Sequence, residues 1–557
     1  MRGNPVNNSN KDAYLKAAIE SHQKGNLQVA KDIYRAILSQ DPKNSESIFR
    51  LGTMALQLNQ YEKAAEYIGK AIKIGPPRIS MYINQGAALK HLDQHDGAIK
   101  AYNKALKIDK HSVDALFNKG CVLQAQNKFD KAKDLYLKAL SINSNNAEIW
   151  INLGAVEKEL GDNKRAIYSF EKAGELNPKL GAVYSNIGAI LFEEGLEKTG
   201  LKLVEKAIEL EPKNSKYLYD MSTFWLARGD LERGWKDYEK RFLHSKISKG
   251  RRPPPPPPYW EGQDLTELKD KNILFWTEQG LGEELISSSI IPKLIKKGLK
   301  FSIECTSKLV PILSKTYPQI NFYSWEEHEE LIRNKKDEID YQYPLLSVLK
   351  FFFKQHEQIN YGRTLLKPDI KKTNILRKKY KELAQGRRIV GISWKSTSMT
   401  FGINKTIPLK EWDSIINRKD IFCVNLQYGE CQKEINSFNN KFGSDIYFDN
   451  SIKPLEELET AFAQIAAMDL VISISNSNIH FAGSMGIPAF SIIPRSKGLI
   501  WYWFTKGTHS PWYPSVRLFR ETSLPDTGTP WWPTVIDNVT KELSVWLKKP
   551  LDPRIES

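Results

Sequence analysis

Cysteine is scarce in this chain. There are four in 557 residues (Cys121, Cys305, Cys423 and Cys431), none in C-x-x-C spacing. That argues against a disulfide framework or a cysteine-rich zinc module and suits a reducing compartment. Long hydrophobic runs are missing as well. The greasiest stretch, LLSVLKFFF at 345–353, is too short to cross a bilayer and contains a lysine. The opening MRGNPVNNSNKDAY lacks the apolar segment of a secretory signal. The expectation is a cytoplasmic protein with no transmembrane segment. The second half holds neither a G-x-G-x-x-G dinucleotide fingerprint nor an Asp-x-Asp metal motif, so no cofactor or metal is expected.

What is present supports real cores: 41% hydrophobic residues, of which a good part are aromatic, over a length that predicts two to four domains. The net charge of +16 is spread thinly, with lysines interleaved among acids. It reads as solvated surface and attraction to small anions rather than as a nucleic-acid interface.

Offset by 34 residues, the first half repeats itself without insertion, with units beginning at Lys11, Ser45, Ile79, Val113, Ala147, Gly181 and Ser215. The eighth position is small (Ala18, Gly52, Gly86, Gly120, Gly154, Gly188, Ser222), and so is the twentieth (Ala30 through Gly234). Large residues such as Tyr34, Tyr102, Tyr136, Phe170 and Tyr238 recur at the twenty-fourth. Small against large at fixed spacing predicts two closely packed helices per unit, and Pro42, Pro76, Pro178 and Pro212 end the second. This pattern resembles the tetratricopeptide repeat, which implies an all-α superhelix with a binding groove.

The sixth position carries Asn84, Asn118, Asn152 and Asn186, then Asp220. A spaced column of amides can bond the N–H and C=O groups of an extended peptide without reading its sequence; it can equally be ordinary repeat composition. The arrangement resembles the asparagine ladder of O-GlcNAc transferase, which implies peptide binding in the groove. The array is expected over 11–246, followed by a stiff polyproline linker at 247–262.

From Lys271 onward β-branched runs alternate with helical stretches: NILFWTE, FSIEC, INFYSW, RIVGISW, IFCVNLQ, DIYFDN, DLVISIS and AFSIIP, then a closing helix. Alternation of this kind predicts parallel sheets with ligands at the carboxyl ends of the strands. The stretches lying there are TEQGLGEE (277–284), WKSTS (394–398), LQYG (426–429) and SNSNIHFAGSMG (475–486). Taken alone, the last is either close packing or a phosphate-gripping turn.

In their order, EQGLG-acid, GISW, LQYG, the D-L-V-I-S-x-S…H-x-A-G-x-x-G-x-P block and SPWYPSVRLFR resemble heptosyltransferase-like glycosyltransferases of the GT-B fold. The resemblance implies two Rossmann-like subdomains, 263–385 on the acceptor side and 386–549 on the nucleotide-sugar side. It further implies a metal-independent inverting transfer of sugar to a protein Ser or Thr hydroxyl, a bacterial surface protein such as flagellin being one suitable acceptor. Glu283 is the implied base. Lys395, Ser396, Gln427, Asn476, Ser477 and His480 are implied to hold the donor. Two departures accompany it: Glu283 stands where the family usually has Asp, and Ser475-Asn476 where its block commonly reads Asp-Thr. A repeat scaffold with a degenerate transferase domain, and a transferase acting on glycans or lipid-linked sugars, are the alternatives.

Overall fold

The computed structural model describes residues 11–243, 258–262, 264–278, 280–327, 330, 338–359, 366–396, 402–494, 499–520 and 530–550. The chain divides into two compact units, one of Met1–Phe192 with Leu196–Pro212, the other of Glu193–Gly195 with Lys213–Ser557.

The first unit is built from helical pairs. First helices begin at Lys11, Ser45, Ile79, Val113, Ala147 and Gly181, the residues at which the 34-residue period starts each unit. Side chains of Asn44, Ser112 and Asn146 cap three of them by accepting backbone N–H groups of the first turn. Between the helices of each pair the chain reverses through a residue with positive φ: Gly25, Asn59, Asp93, Asn127, Gly161 and Gly195. Only Gly, Asn and Asp occupy this register position, the residues that tolerate the left-handed region. The glycines at position eight have a different cause. A Cβ on Gly86 or Gly120 would lie 2.5 Å from the ring of Tyr102 or Tyr136, so the small and large positions interlock as their spacing predicts.

The seventh pair, Ser215–Ala227 and Leu231–Tyr238 with a 3-10 turn Glu239–Leu243, belongs to the second unit. Its Leu226, Leu231, Trp235 and Tyr238 join the same apolar core as Ile273, Phe275, Ile479 and Trp501 of the α/β region.

That region holds two all-parallel sheets. One has the order β3-β2-β1-β4, from β1 (Asn272–Trp276), β2 (Lys300–Cys305), β3 (Asn321–Ser324) and β4 (Tyr341–Pro344). The other has the order β6-β5-β7-β8-β9, from β5 (Arg388–Ser393), β6 (Ile421–Asn425), β7 (Leu470–Ile474), β8 (Ala489–Ile493) and β9 (Val516–Arg520). Both faces of the second sheet are covered. Ile389 and Val471 face one core while Val390, Ile392 and Ile472 face another, with the closing helix Pro533–Trp546 behind it.

Three sequence expectations are corrected here. DIYFDN is not a strand; it makes a single bridge, Val424 to Tyr447, and Asp449 is drawn to Lys379 Nζ (2.9 Å) and Tyr380 Oη (2.8 Å). β4 and β9 were unforeseen, the first carrying two tyrosines and a proline, the second two arginines. The last residues assigned to the linker are part of the fold: Trp260 is buried, and its N–H donates to Gln342 O at 3.1 Å beside β4. Prolines 253–257 lie outside the described residues.

Candidate functional site

Each sheet reverses its strand order once, between β1 and β4 and between β5 and β7. At such points two loops diverge and leave a crevice at the carboxyl edge. After β1 the chain runs through a glycine turn into the helix Leu281–Ser288; after β7 it runs into the helix Ser477–Ser484. These helices pack together. A Cβ on Gly282 would lie 2.7 Å from His480 Nε2, so glycine is required where the two meet.

Around this contact sit four polar side chains. Glu283, in the first turn of its helix, takes a hydrogen bond from Tyr502 Oη at 3.4 Å. Lys405 is only 4% exposed, and its Nζ donates to Ser475 O at 3.4 Å. His480 is buried, with Nδ1 3.2 Å from Tyr513 Oη and its ring against Tyr502, Trp503 and Tyr513. Burial raises the Glu283 carboxyl above its ordinary range, against the opposing pull of its own backbone N–H, Lys405 and Tyr502. Burial lowers Lys405 to about 8, with the charge of Glu283 resisting. His480 is pulled down to about 3, by burial first and then by the charge of Lys405, so its imidazole is neutral at physiological pH. Ser475 Oγ is buried without a hydrogen-bond partner among the described residues, a costly state for a hydroxyl at this edge.

The other expected donor contacts are engaged within the protein. Gln427 Oε1 accepts from Ser393 Oγ (3.1 Å), Trp394 N (3.1 Å) and Lys395 N (2.9 Å), and so ties the ends of β5 and β6 together. Lys395 Nζ pairs with Glu434 at 2.8 Å. Asn476 caps the helix that follows it, accepting from Asn478 N at 3.1 Å, and donates to Ser393 Oγ at 2.8 Å. Ser477, half-buried, stands at the first position of that helix, and half-buried Ser396 follows Lys395, its N–H donating to Thr406 Oγ1 at 3.2 Å. Thr397 and Ser398 lie outside the described residues. Lys405 and Tyr502 were not foreseen. Each stands alone in its segment, FGINKTIP or LIWYWF, and no spacing marks it. Among the described residues no group of three or more His, Cys, Asp or Glu is placed to hold a metal ion.

In the repeats, Asn84, Asn118, Asn152 and Asn186 occupy one register position, half-buried, on successive first helices. Asn118 and Asn152 each donate to the carbonyl four residues back, of Asp114 and Glu148, at 2.9 Å. Asn84 donates to Thr53 Oγ1 of the preceding repeat at 3.3 Å. Asp220, in the second unit, is paired with Lys216 at 2.6 Å.

Comparison with known proteins identifies the helical pairs. Tetratricopeptide repeat models match residues 15–79, 77–145 and 135–168. Protein FlbA of Caulobacter vibrioides is 29% identical over 315 residues, 54% of this chain and 50% of that protein. The chain therefore spans about half the length of the curated relative it matches. Among solved structures, YrrB, described as a TPR protein with an unusual peptide-binding site, is 18% identical over 34% of this chain and 97% of its own, with a TM-score of 0.29. MamA from Desulfovibrio magneticus RS-1 is 19% identical over 30% of this chain and 96% of its own, also at 0.29. Residues 15–168 thus match tetratricopeptide repeats. Among the described residues no helix is long and apolar enough to cross a membrane.

Proposed function

We propose that the α/β unit is a GT-B-type glycosyltransferase that moves a sugar from a nucleotide-diphosphate donor to a protein hydroxyl, the acceptor being held by the repeats. The observation that carries this reading is the opposed pair of half-buried Glu283 and buried Lys405, placed where the switch-point loops of the two parallel sheets meet. A carboxylate of raised pKa is a fitted general base for a hydroxyl. In the transfer, the acceptor oxygen gives its proton to Glu283 and attacks the anomeric carbon. The nucleotide diphosphate departs from the opposite face with the bonding electrons, inverting the configuration. Lys405 and the N-terminus of the helix Ser477–Ser484 meet its charge, and Ser475 Oγ and Ser477 supply hydroxyl donors. Gln427, Asn476 and Lys395 act one step back, by holding the ends of β5, β6 and β7 in place.

A non-catalytic repeat scaffold is the second reading. It is favoured by the internal pairing of Lys395, Gln427 and Asn476. Saturation-transfer NMR with UDP, GDP, ADP and CMP sugars separates the two: binding of one donor supports the transferase, and binding of none leaves the scaffold. With the donor known, Glu283→Gln is expected to lower turnover by about 100-fold or more while donor affinity stays within about twofold. Full activity would remove Glu283 as base. The joint Asn118→Ala and Asn152→Ala variant tests delivery. Unchanged transfer to protein would sink the amide column and bring the glycan or lipid-linked acceptor forward.

A further inference from the structure

Tyr502 reaches the site on a segment whose backbone is unfavourable by itself. Phe504 has φ 56° and ψ 164°, a region that side-chain-bearing residues occupy only when their surroundings enforce it. Much of that enforcement comes from the seventh repeat. Thr505 N–H donates to Ala227 O at 2.7 Å. Trp501 Nε1 donates to Tyr238 Oη at 3.3 Å. The rings of Trp235 and Tyr238 meet Trp501 edge-on, at 5.4 and 5.9 Å. His356, which lies against Gly229, packs edge-on against Phe504 at 4.6 Å. The same repeat places Arg241, fully buried, on Glu278 in the turn that leads to Glu283 (Nε to Oε1, 3.1 Å).

We propose that the seventh repeat is a positioning element of the site, in which Trp235 and Tyr238 hold the 501–505 segment so that the Tyr502 hydroxyl meets Glu283. The proposal rests on Glu283 being the base. Glu283 is faced by Tyr502 from this segment, by Lys405 from the stretch after β5, and by Glu278 from its own turn. Removing the Tyr502 hydroxyl takes away a donor to the carboxylate, so the acid limb of the rate profile moves to higher pH. Loosening the segment from the seventh repeat must have the same consequence.

The test compares full-length Tyr238→Phe, Trp235→Phe and Tyr502→Phe. Hydrogen exchange of the peptide spanning 501–505 is expected to rise about fivefold or more in the two repeat variants, with exchange in 11–192 unchanged. In both, the acid limb of kcat/KM moves upward as it does in Tyr502→Phe, with donor affinity within about twofold. Unchanged exchange overturns the proposal, and so does faster exchange with an unmoved acid limb, which would mark the repeat as mere support. If the wild-type chain transfers no sugar, the catalytic reading fails by itself; exchange at 501–505 then decides whether the repeat holds the segment.

Discussion

Lys405 illustrates how a single residue can cost the fold and serve the site. An ammonium lowered from 10.5 to about 8 binds its proton less tightly folded than unfolded. The unfolded chain therefore holds more protons between pH 8 and 10.5, and stability rises with pH across that window. Below pH 8 the full penalty applies, about 3 kcal/mol from the shift alone. Lys405→Met is accordingly expected to raise the melting temperature at pH 7, by an amount worth about 1–3 kcal/mol, while abolishing diphosphate binding; a lower melting temperature would show that the ammonium stabilises the fold. In the wild type, affinity for a nucleoside diphosphate should fall as pH rises through about 8, because the cation that meets it is lost; calorimetric titration from pH 6.5 to 9.5 checks this. His480 contributes no step in that range, since its pKa is near 3.

Between residue and whole lie the elements, and here small contacts decide geometry. Asn476 joins three of them: β5 through Ser393, β7 through Ser473, and the helix Ser477–Ser484 through its cap. Asn476→Ala removes the cap and one of the two hydrogen bonds of the buried Ser393 hydroxyl, and should cost about 1–3 kcal/mol, read as a lower melting temperature of the α/β unit with the repeats unaffected. In the array, Gly120→Ala sets a gain in helix propensity of about 1 kcal/mol against a Cβ placed 2.5 Å from the Tyr136 ring. Overpacking costs about 1–3 kcal/mol, so the net expectation is destabilisation, seen as an earlier melt. The helical elements were legible because a period of 34 repeats each size constraint. The turn position at Gly25, Asn59, Asp93 and onward is equally periodic in the sequence. β4 and β9 were not legible, since YQYP and VRLFR are only four and five residues long, too short to mark a strand before a neighbouring strand supplies their partners.

For the molecule as a whole, the seventh repeat decides where the units divide. Its Leu231, Trp235 and Tyr238 are core residues of the α/β unit, and Arg241 pairs there with Glu278. A chain beginning at Lys213 is expected to fold cooperatively. One beginning at 258 should expose that core and aggregate; sedimentation and near-ultraviolet circular dichroism of the two separate these outcomes, and a well-folded 258 chain would remove the seventh repeat from the α/β core. Arg241→Met removes the fully buried guanidinium that pairs with the Glu278 carboxylate, at a cost of about 3–5 kcal/mol; adding Glu278→Met should restore part of it. The sequence by itself determined the repeat register, the parallel α/β class, and the acidic and histidine turns after β1 and β7, because these follow from local spacing and from where chain reversals must fall. The tertiary structure alone decided that Lys405 and Tyr502 join Glu283 and His480, and that the seventh unit of the repeat sequence packs into the α/β core. Those are meetings of side chains from separate elements, most of them far apart along the chain, and a buried charge acquires its character only from what finally surrounds it.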